Sequence, residues 1–424
     1  MRNEIHMRRA SVLLTLLLAR TLAAQQPESD HEMIQRLVQR VNELEAEVQR
    51  LRTQPGDSPA QPREAATAAP PAATSQPTPE PAPPPALAAA AMPQDMAHDA
   101  AGIPGMQFRG FSDIQYHASD QKGVTDTFAL GQLNLFITSK ISDKINALAE
   151  LVIEADPNNA FGIEPERLLL QYAVNDYLNL SLGRYHTAIG FYNTAYHHST
   201  WMQTTVDRPF LFEFEDRGGI LPIHNVGLSA TGRIPSGSLG LHYVAEIGNG
   251  RTSRSPLDEP VQSVRDENNG KAFNLAVFAR PDWLRGFQTG FSVYRDHLTP
   301  ENLPKIGQTI LSGHVVYQSN RFEFLNEVIL MRHAPLGSPL HDTSAFYSQI
   351  SRAFSRFRPY FRYEYINAPT VDPIVGDVGL YQGPVGGIRF DFAEVAAFKL
   401  EYTRIQRRDL ADTNGLTTQV SFTF

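Results

Sequence analysis

From Met106 onward the chain is a succession of about sixteen runs of roughly ten residues each, in which apolar and polar residues alternate. Thr127 to Lys140, Ile223 to Arg233, Gln308 to Gln318 and Phe357 to Asn367 are representative, and the last run, Asn414 to Phe424, ends the chain on an aromatic residue. Side chains of an extended strand alternate between two faces, and about ten residues is the length a tilted strand needs to cross a bilayer. The connections alternate too. Ile141 to Asp143, Asp176, Pro235 to Ser238, Pro281 to Arg285, Ser319 to Asn320, Ser355 to Arg356 and Ala393 to Glu394 are short, while Ala155 to Glu166, Thr187 to Pro222 and Gly248 to Lys271 are long. Short turns at one end and long loops at the other belong to an up-and-down barrel in an outer membrane; a soluble β-sandwich has no reason to keep that phase through so many strands. The spacing predicts an all-β fold over residues 106–424, an antiparallel transmembrane β-barrel of about sixteen strands.

Several runs assign their own faces. In the last, Leu416, Thr418, Val420, Phe422 and Phe424 oppose Gly415, Thr417, Gln419, Ser421 and Thr423. Phe361, Tyr363 and Tyr365 oppose Arg358, Tyr360, Arg362 and Glu364; Phe398, Leu400 and Tyr402 oppose Lys399, Glu401 and Thr403; Leu168, Leu170 and Tyr172 oppose Arg167 and Gln171. A basic side chain on the lipid face at the bilayer midplane costs about 2–4 kcal/mol, so the charged rows face the lumen. With Arg233 and Arg389, the residues Arg167, Arg358, Arg362, Glu364, Lys399 and Glu401 are the expected pore wall. Sixteen strands enclose a lumen too wide for wall side chains to fill.

Upstream, Arg8 and Arg9, an apolar stretch within Ser11 to Ala19, and Ala23 and Ala24 describe a signal peptide over 1–24. Ile34, Leu37, Val41, Leu44, Val48 and Leu51 form a heptad seam, a short coiled coil over 30–52. Residues 53–105 are rich in Pro and Ala and poor in large apolar side chains, which predicts a disordered linker. An even strand count places both barrel ends on the short-turn, periplasmic side, where the linker has to be. The chain has no Cys and a formal net charge of -8, which excludes thiolate chemistry and argues against nucleic-acid binding.

The densest unusual chemistry lies in the third long connection, with His186, Phe191, Tyr192, Tyr196, His197, His198 and Trp201, then Asp207, Arg208, Glu213, Glu215, Asp216 and Arg217. So long, aromatic and charged a loop is expected to fold into the lumen and narrow it, with Asp207, Arg208, Glu213, Glu215, Asp216 and Arg217 as the constriction. The strand count, this loop and a coiled coil after a signal peptide together resemble the outer-membrane porins, and most of all the phosphate-selective porin O and P family. The resemblance covers about Met106 to Phe424 and is architectural. It implies a homotrimer of sixteen-stranded barrels in outer-membrane lipid, each with a pore narrowed by its third loop, and passive diffusion of small hydrophilic solutes or ions with neither cofactor nor metal. Phosphate specificity is not implied: inward bases are matched by inward acids, and the third loop carries no lysine.

Two other readings come from different classes. The coiled coil and linker suit an anchor between the outer membrane and the cell wall. His197, His198, Ser199, Asp207 and Glu213 contain the groups of a barrel hydrolase, but nothing in their spacing singles out a triad, and adjacent His197 and His198 point to opposite faces of a strand, a poor metal pair.

Overall fold

The computed structural model describes residues 105–155, 160–196, 200–254, 263–408 and 410–424. The expected signal peptide and coiled coil, and the expected linker up to residue 104, lie outside the described residues, as do His197, His198 and Ser199; Gly105, read as the end of the linker, opens the first strand. The sixteen strands are β1 Gly105–Ser119, β2 Thr127–Lys140, β3 Ile145–Ala155, β4 Phe161–Asn175, β5 Leu178–His186, β6 His224–Ile234, β7 Leu241–Asn249, β8 Lys271–Ala279, β9 Phe287–Leu298, β10 Ile306–Gln318, β11 Phe322–Pro335, β12 His341–Arg352, β13 Phe357–Asn367, β14 Leu380–Ala393, β15 Ala396–Arg407 and β16 Thr413–Thr423. Each pairs antiparallel with its neighbours in sequence, and β1 pairs with β16, so the sheet closes as a barrel. Every described strand thus has a partner on both sides, a condition for spanning a bilayer with strands. At the seam, the backbones of Gly110 and Phe424 exchange hydrogen bonds of 2.8 and 2.9 Å. A Cβ on Gly110 would sit 2.3 Å from the Phe424 ring, so glycine there lets the terminal aromatic lie down on the seam.

The alternation read from the sequence is the alternation of exposure. Phe357, Phe361, Phe398, Leu400, Leu416 and Val420 are exposed, and so are Phe291, Leu311, Phe324 and Leu330. Between them Tyr360, Arg362, Glu364, Lys399, Glu401, Thr417, Gln419 and Ser421 are buried. An apolar outer band around a charged interior is what lipid outside and water inside require.

β4 begins at Phe161, six residues before the expected Arg167. The register with β3 slips between Glu150 and Leu151, and consecutive Glu166 and Arg167 are both buried. The slip is a β-bulge; it breaks the period of two and hides the upstream stretch, in which Phe161 and Ile163 again face outward.

The longer connections pack against one another at the other end from the short turns. Arg254, between β7 and β8, makes a 3.0 Å ion pair with Asp377, between β13 and β14. Asp372 caps its own turn by accepting from the Ile374 and Val375 N–H groups at 2.8 and 3.1 Å, and it meets His333 Nδ1 at 2.8 Å. Burial works against its ionisation, but the His333 hydrogen bond and charge and the two N–H donors hold its carboxyl below the ordinary range. A depressed carboxyl pKa contributes stability that is present above the unfolded value, about 3.9 for Asp, and is lost as pH falls through the folded one. Protease protection of the 368–379 connection should therefore be flat from neutral pH down to about 4 and fall below that. Asp372→Asn should lower it by about 1–3 kcal/mol at neutral pH and flatten the acid limb. A mutant with the wild-type acid limb would assign the pH dependence to another group.

Candidate functional site

Among its described residues, the segment joining β5 to β6 contains one helical turn, α1 (Tyr192–Ala195), and short 3-10 turns at Thr200–Met202, Phe210–Phe212 and Glu215–Arg217. Its aromatic residues make its core. Tyr192 stacks on Phe212 with ring centroids 5.8 Å apart and packs at 4.5 Å on Tyr196. Arg208 lies with its guanidinium carbon 3.9 Å from the Phe214 ring centre. Ile189, Phe191, Leu211, Phe212 and Phe214 share one buried apolar cluster with Ile310, Leu325, Ile329, Tyr347 and Ile366 on β10 to β13.

A polar network ties the same segment to charged wall residues. Glu327 of β11 accepts from the N–H groups of Phe191 and Tyr192 and from Tyr347 Oη. Glu246 of β7 accepts from the Ala188 N–H at 3.0 Å. Glu364 of β13 accepts from the Phe210 N–H at 2.7 Å, and Glu401 of β15 from the Val206 N–H at 3.0 Å. The cations take the carbonyls: Lys399 Nζ donates to Thr200 O and Thr205 O at 2.6 and 2.8 Å. Arg389 donates to Trp201 O and Gln203 O at 2.7 and 2.8 Å, and Arg362 to Asp207 O at 2.9 Å. On the far side, Arg217 Nη2 meets Glu154 of β3 at 2.6 Å.

The expected wall residues thus divide. Arg362, Glu364, Arg389, Lys399 and Glu401 converge on the segment. Arg167 pairs with Glu150 of β3 beneath the Phe136 ring. Arg358 donates to Asn320 O at 3.0 Å, at the short-turn end, and Arg233 is exposed near the same end. Of the expected constriction residues, Asp207, Asp216 and Arg217 are exposed, Glu213 is half-buried, and Arg208 and Glu215 are buried. Arg208 donates to Phe212 O at 2.7 Å. Burial holds the Glu213 carboxyl above the ordinary range, with Arg217 and Arg208 pulling it down. Burial also opposes ionisation of Glu215, but the charge of His224 and its hydrogen bonds win and hold that carboxyl low.

Three polar residues that the alternation did not assign to the interior, Glu166, Arg184 and His224, meet at the root of the segment. Arg184 Nε donates to Glu166 O at 3.1 Å, and His224 Nε2 lies 2.8 Å from Glu166 Oε2. The signal for one of them, Arg184, is a local failure of the period. Arg184, Tyr185 and His186 follow Gly183, which sits at φ +134° with its would-be Cβ 1.9 Å from Leu168 O, and all three are buried in succession.

No protein-family signature and no curated protein sequence matches this chain. Among solved structures, the chain is similar to the anion-selective porin from Comamonas acidovorans, with a TM-score of 0.54 and 10% identity over 76% of this chain and 100% of that one. It is also similar to the outer membrane channel DcaP of Acinetobacter baumannii, with a TM-score of 0.54 and 9% identity over 77% and 99%. OmpF of Salmonella typhi, solved with daunomycin, gives a TM-score of 0.53 and 10% identity over 75% and 97%. At such identities the likeness is one of fold: a closed sixteen-stranded barrel of the outer-membrane porin type.

Proposed function

We propose that the chain is a passive outer-membrane porin for small hydrophilic solutes or ions, its lumen narrowed by the segment between β5 and β6. The observation that carries the reading is the reach of that segment. β3 and β11 are eight positions apart in the closed order of sixteen strands, hence on opposite sides of the barrel, and the segment bonds to Glu154 on one and to Glu327 on the other. A chain tied to both walls crosses the interior and leaves passage only beside it. Solutes then pass without chemistry, sorted by the width and charge of the remaining gap.

The charges on the solvent side of the segment are Asp207, Asp216 and Arg217, and Arg217 is paired with Glu154. That leaves the gap weakly negative, a slight preference for cations and not for phosphate. A homotrimer, as the porin resemblance implies, would give conductance steps in groups of three in a planar bilayer. Each of two charges about 8 Å from a passing ion in water contributes about 0.5 kcal/mol, reduced by screening over about 10 Å. Asp207→Asn with Asp216→Asn should therefore move the permeability ratio toward anions by roughly two- to threefold, read from the reversal potential under a salt gradient. An unchanged ratio would place these residues outside the ion path, and silence from folded, inserted protein would sink the porin reading in favour of an anchor.

A further inference from the structure

His186 is the last residue of β5 and His224 the first of β6, and they are directly paired across the two strands. Glu166 comes from the bulge of β4 beside them. All three are buried, and one donor atom from each lies within 4.8 Å of the others. The rings of His186 and His224 sit 4.8 Å apart, edge to face at 74°.

The surroundings fix which nitrogen of each ring faces its neighbours. His186 Nδ1 is 3.1 Å from Asn193 O, which only accepts, so Nδ1 carries the proton and the lone pair is on Nε2. Asn193 is itself held, donating to Thr187 O at 2.7 Å and Ile223 O at 3.2 Å. His224 Nδ1 is 3.0 Å from Glu215 Oε2, while Glu215 Oε1 accepts the His224 backbone N–H at 2.9 Å. Phe214 stacks on the His224 ring at 5.6 Å. In each ring a carbonyl or a carboxylate holds Nδ1, His224 Nε2 lies 2.8 Å from Glu166 Oε2, and a ring nitrogen of His186 lies within 4.8 Å of the other two ligand atoms; this is the outer hydrogen-bonding arrangement of metal-binding histidines.

We infer that Glu166, His186 and His224 bind one divalent transition-metal ion through Glu166 Oε2 and the two Nε2 atoms. Two nitrogens and one carboxylate oxygen suit Zn2+, which takes four ligands at about 2.0–2.2 Å; solvent completes the set. The 2.8 Å between His224 Nε2 and Glu166 Oε2 holds either a shared proton or the ion, so binding releases that proton. With that proton gone, the carboxylates of Glu166 and Glu215 outweigh the Arg184 guanidinium, 3.8 Å from Glu166, so the deprotonated cavity is net negative and favours a cation. The ion would clasp both ends of the β5–β6 segment to β4. This goes beyond the porin reading and does not depend on it.

The test is equilibrium dialysis of the refolded full chain in detergent against Zn2+, followed by elemental analysis, with Co2+ spectra of the same protein. The expected result is one Zn2+ per chain, an intense visible Co2+ band of low coordination number, and loss of both in His186→Gln and in His224→Gln. Glu215→Gln, which alters only the support of His224, should weaken binding about 10–100-fold while keeping the stoichiometry. Failure of wild-type protein to retain Zn2+, a weak Co2+ band like that of the hydrated ion, or affinity unchanged in both histidine variants would overturn the inference. The Co2+ spectrum needs no variant and so decides even if the substitutions misfold. Conductance is not part of this readout, so a failed porin reading would leave it standing.

Discussion

Replacing Glu327 by Leu should release the start of the β5–β6 segment from the wall and raise single-channel conductance several-fold while the barrel stays folded. Three donors depend on this one carboxylate: the N–H groups of Phe191 and Tyr192 and the hydroxyl of Tyr347. A buried donor left without a partner costs about 1–3 kcal/mol, so losing all three removes on the order of 3 kcal/mol even at the low end. Gly190 shows how close the approach is: it sits at φ +76°, and a Cβ there would lie 2.4 Å from Glu327 Oε2. The backbone of β11 is paired to β10 and β12 along its whole length, so the damage stays in the segment. Glu327→Gln keeps an acceptor oxygen and loses mainly the extra strength of a charged one; its effect should be about 1 kcal/mol. Limited chymotrypsin digestion and planar-bilayer recording read the two consequences separately. Wild-type conductance and wild-type resistance at Phe191, Tyr192 and Tyr196 in Glu327→Leu would show that the segment is held by its apolar packing alone.

How much of this was legible in the sequence depended on whether a residue's role follows from a period. β2 and β13 have the bounds read from alternation alone, because each has an apolar outer face and polar contacts on the other, and a slip of one residue would exchange them. The charged rows were legible for the same reason, which is why Arg362, Glu364, Lys399 and Glu401 were found. What the sequence does not carry is what those charges face. Each of them has partners among the backbone N–H and C=O groups of residues 187–223, some 150 to 200 positions away along the chain, and a backbone group has no signature in the sequence. Arg208 and Glu215 illustrate the cost. Read as constriction charges, they are buried, one beneath Phe214 and one against His224, because an aromatic loop that packs on itself takes some of its charges inside. The Glu166, His186 and His224 cluster lay deeper still, since it depends on a bulge and on a glycine at positive φ, the two places where the period breaks.

The second large effect is expected at Arg362. Its Nε donates to Glu364 Oε1 at 2.6 Å, Nη1 to Thr205 Oγ1 at 3.1 Å and Asp207 O at 2.9 Å, and Nη2 to Arg208 O at 3.3 Å. Glu364 meanwhile holds the Phe210 N–H. The pair is buried, so removing one partner strands the other charge, at about 3–5 kcal/mol. Arg362→Met should cost that much in the stability of the segment. Arg362→Lys should recover little of it, because a single ammonium cannot reach a carboxylate and two carbonyls as the planar fork does. Adding Glu364→Met to Arg362→Met removes the stranded carboxylate and should restore part of the loss, a non-additivity of about 0.5–3 kcal/mol for groups in direct contact. The restoration stays partial, because Phe210 N–H and the carbonyls of Asp207 and Arg208 still lack their partners. The chain has 2 Trp, and one of them, Trp201, lies in the segment with Arg389 4.8 Å from its ring centre. In a Trp283→Phe background its emission reports on the segment alone, while circular dichroism reports on the barrel. The Trp201 transition should move to lower denaturant in Arg362→Met and partly return in the double variant, with the barrel transition fixed. Additive single effects would mean that Arg362 and Glu364 act through separate contacts, and a Trp201 transition that follows the barrel in every variant would mean that the segment and the wall unfold as one unit.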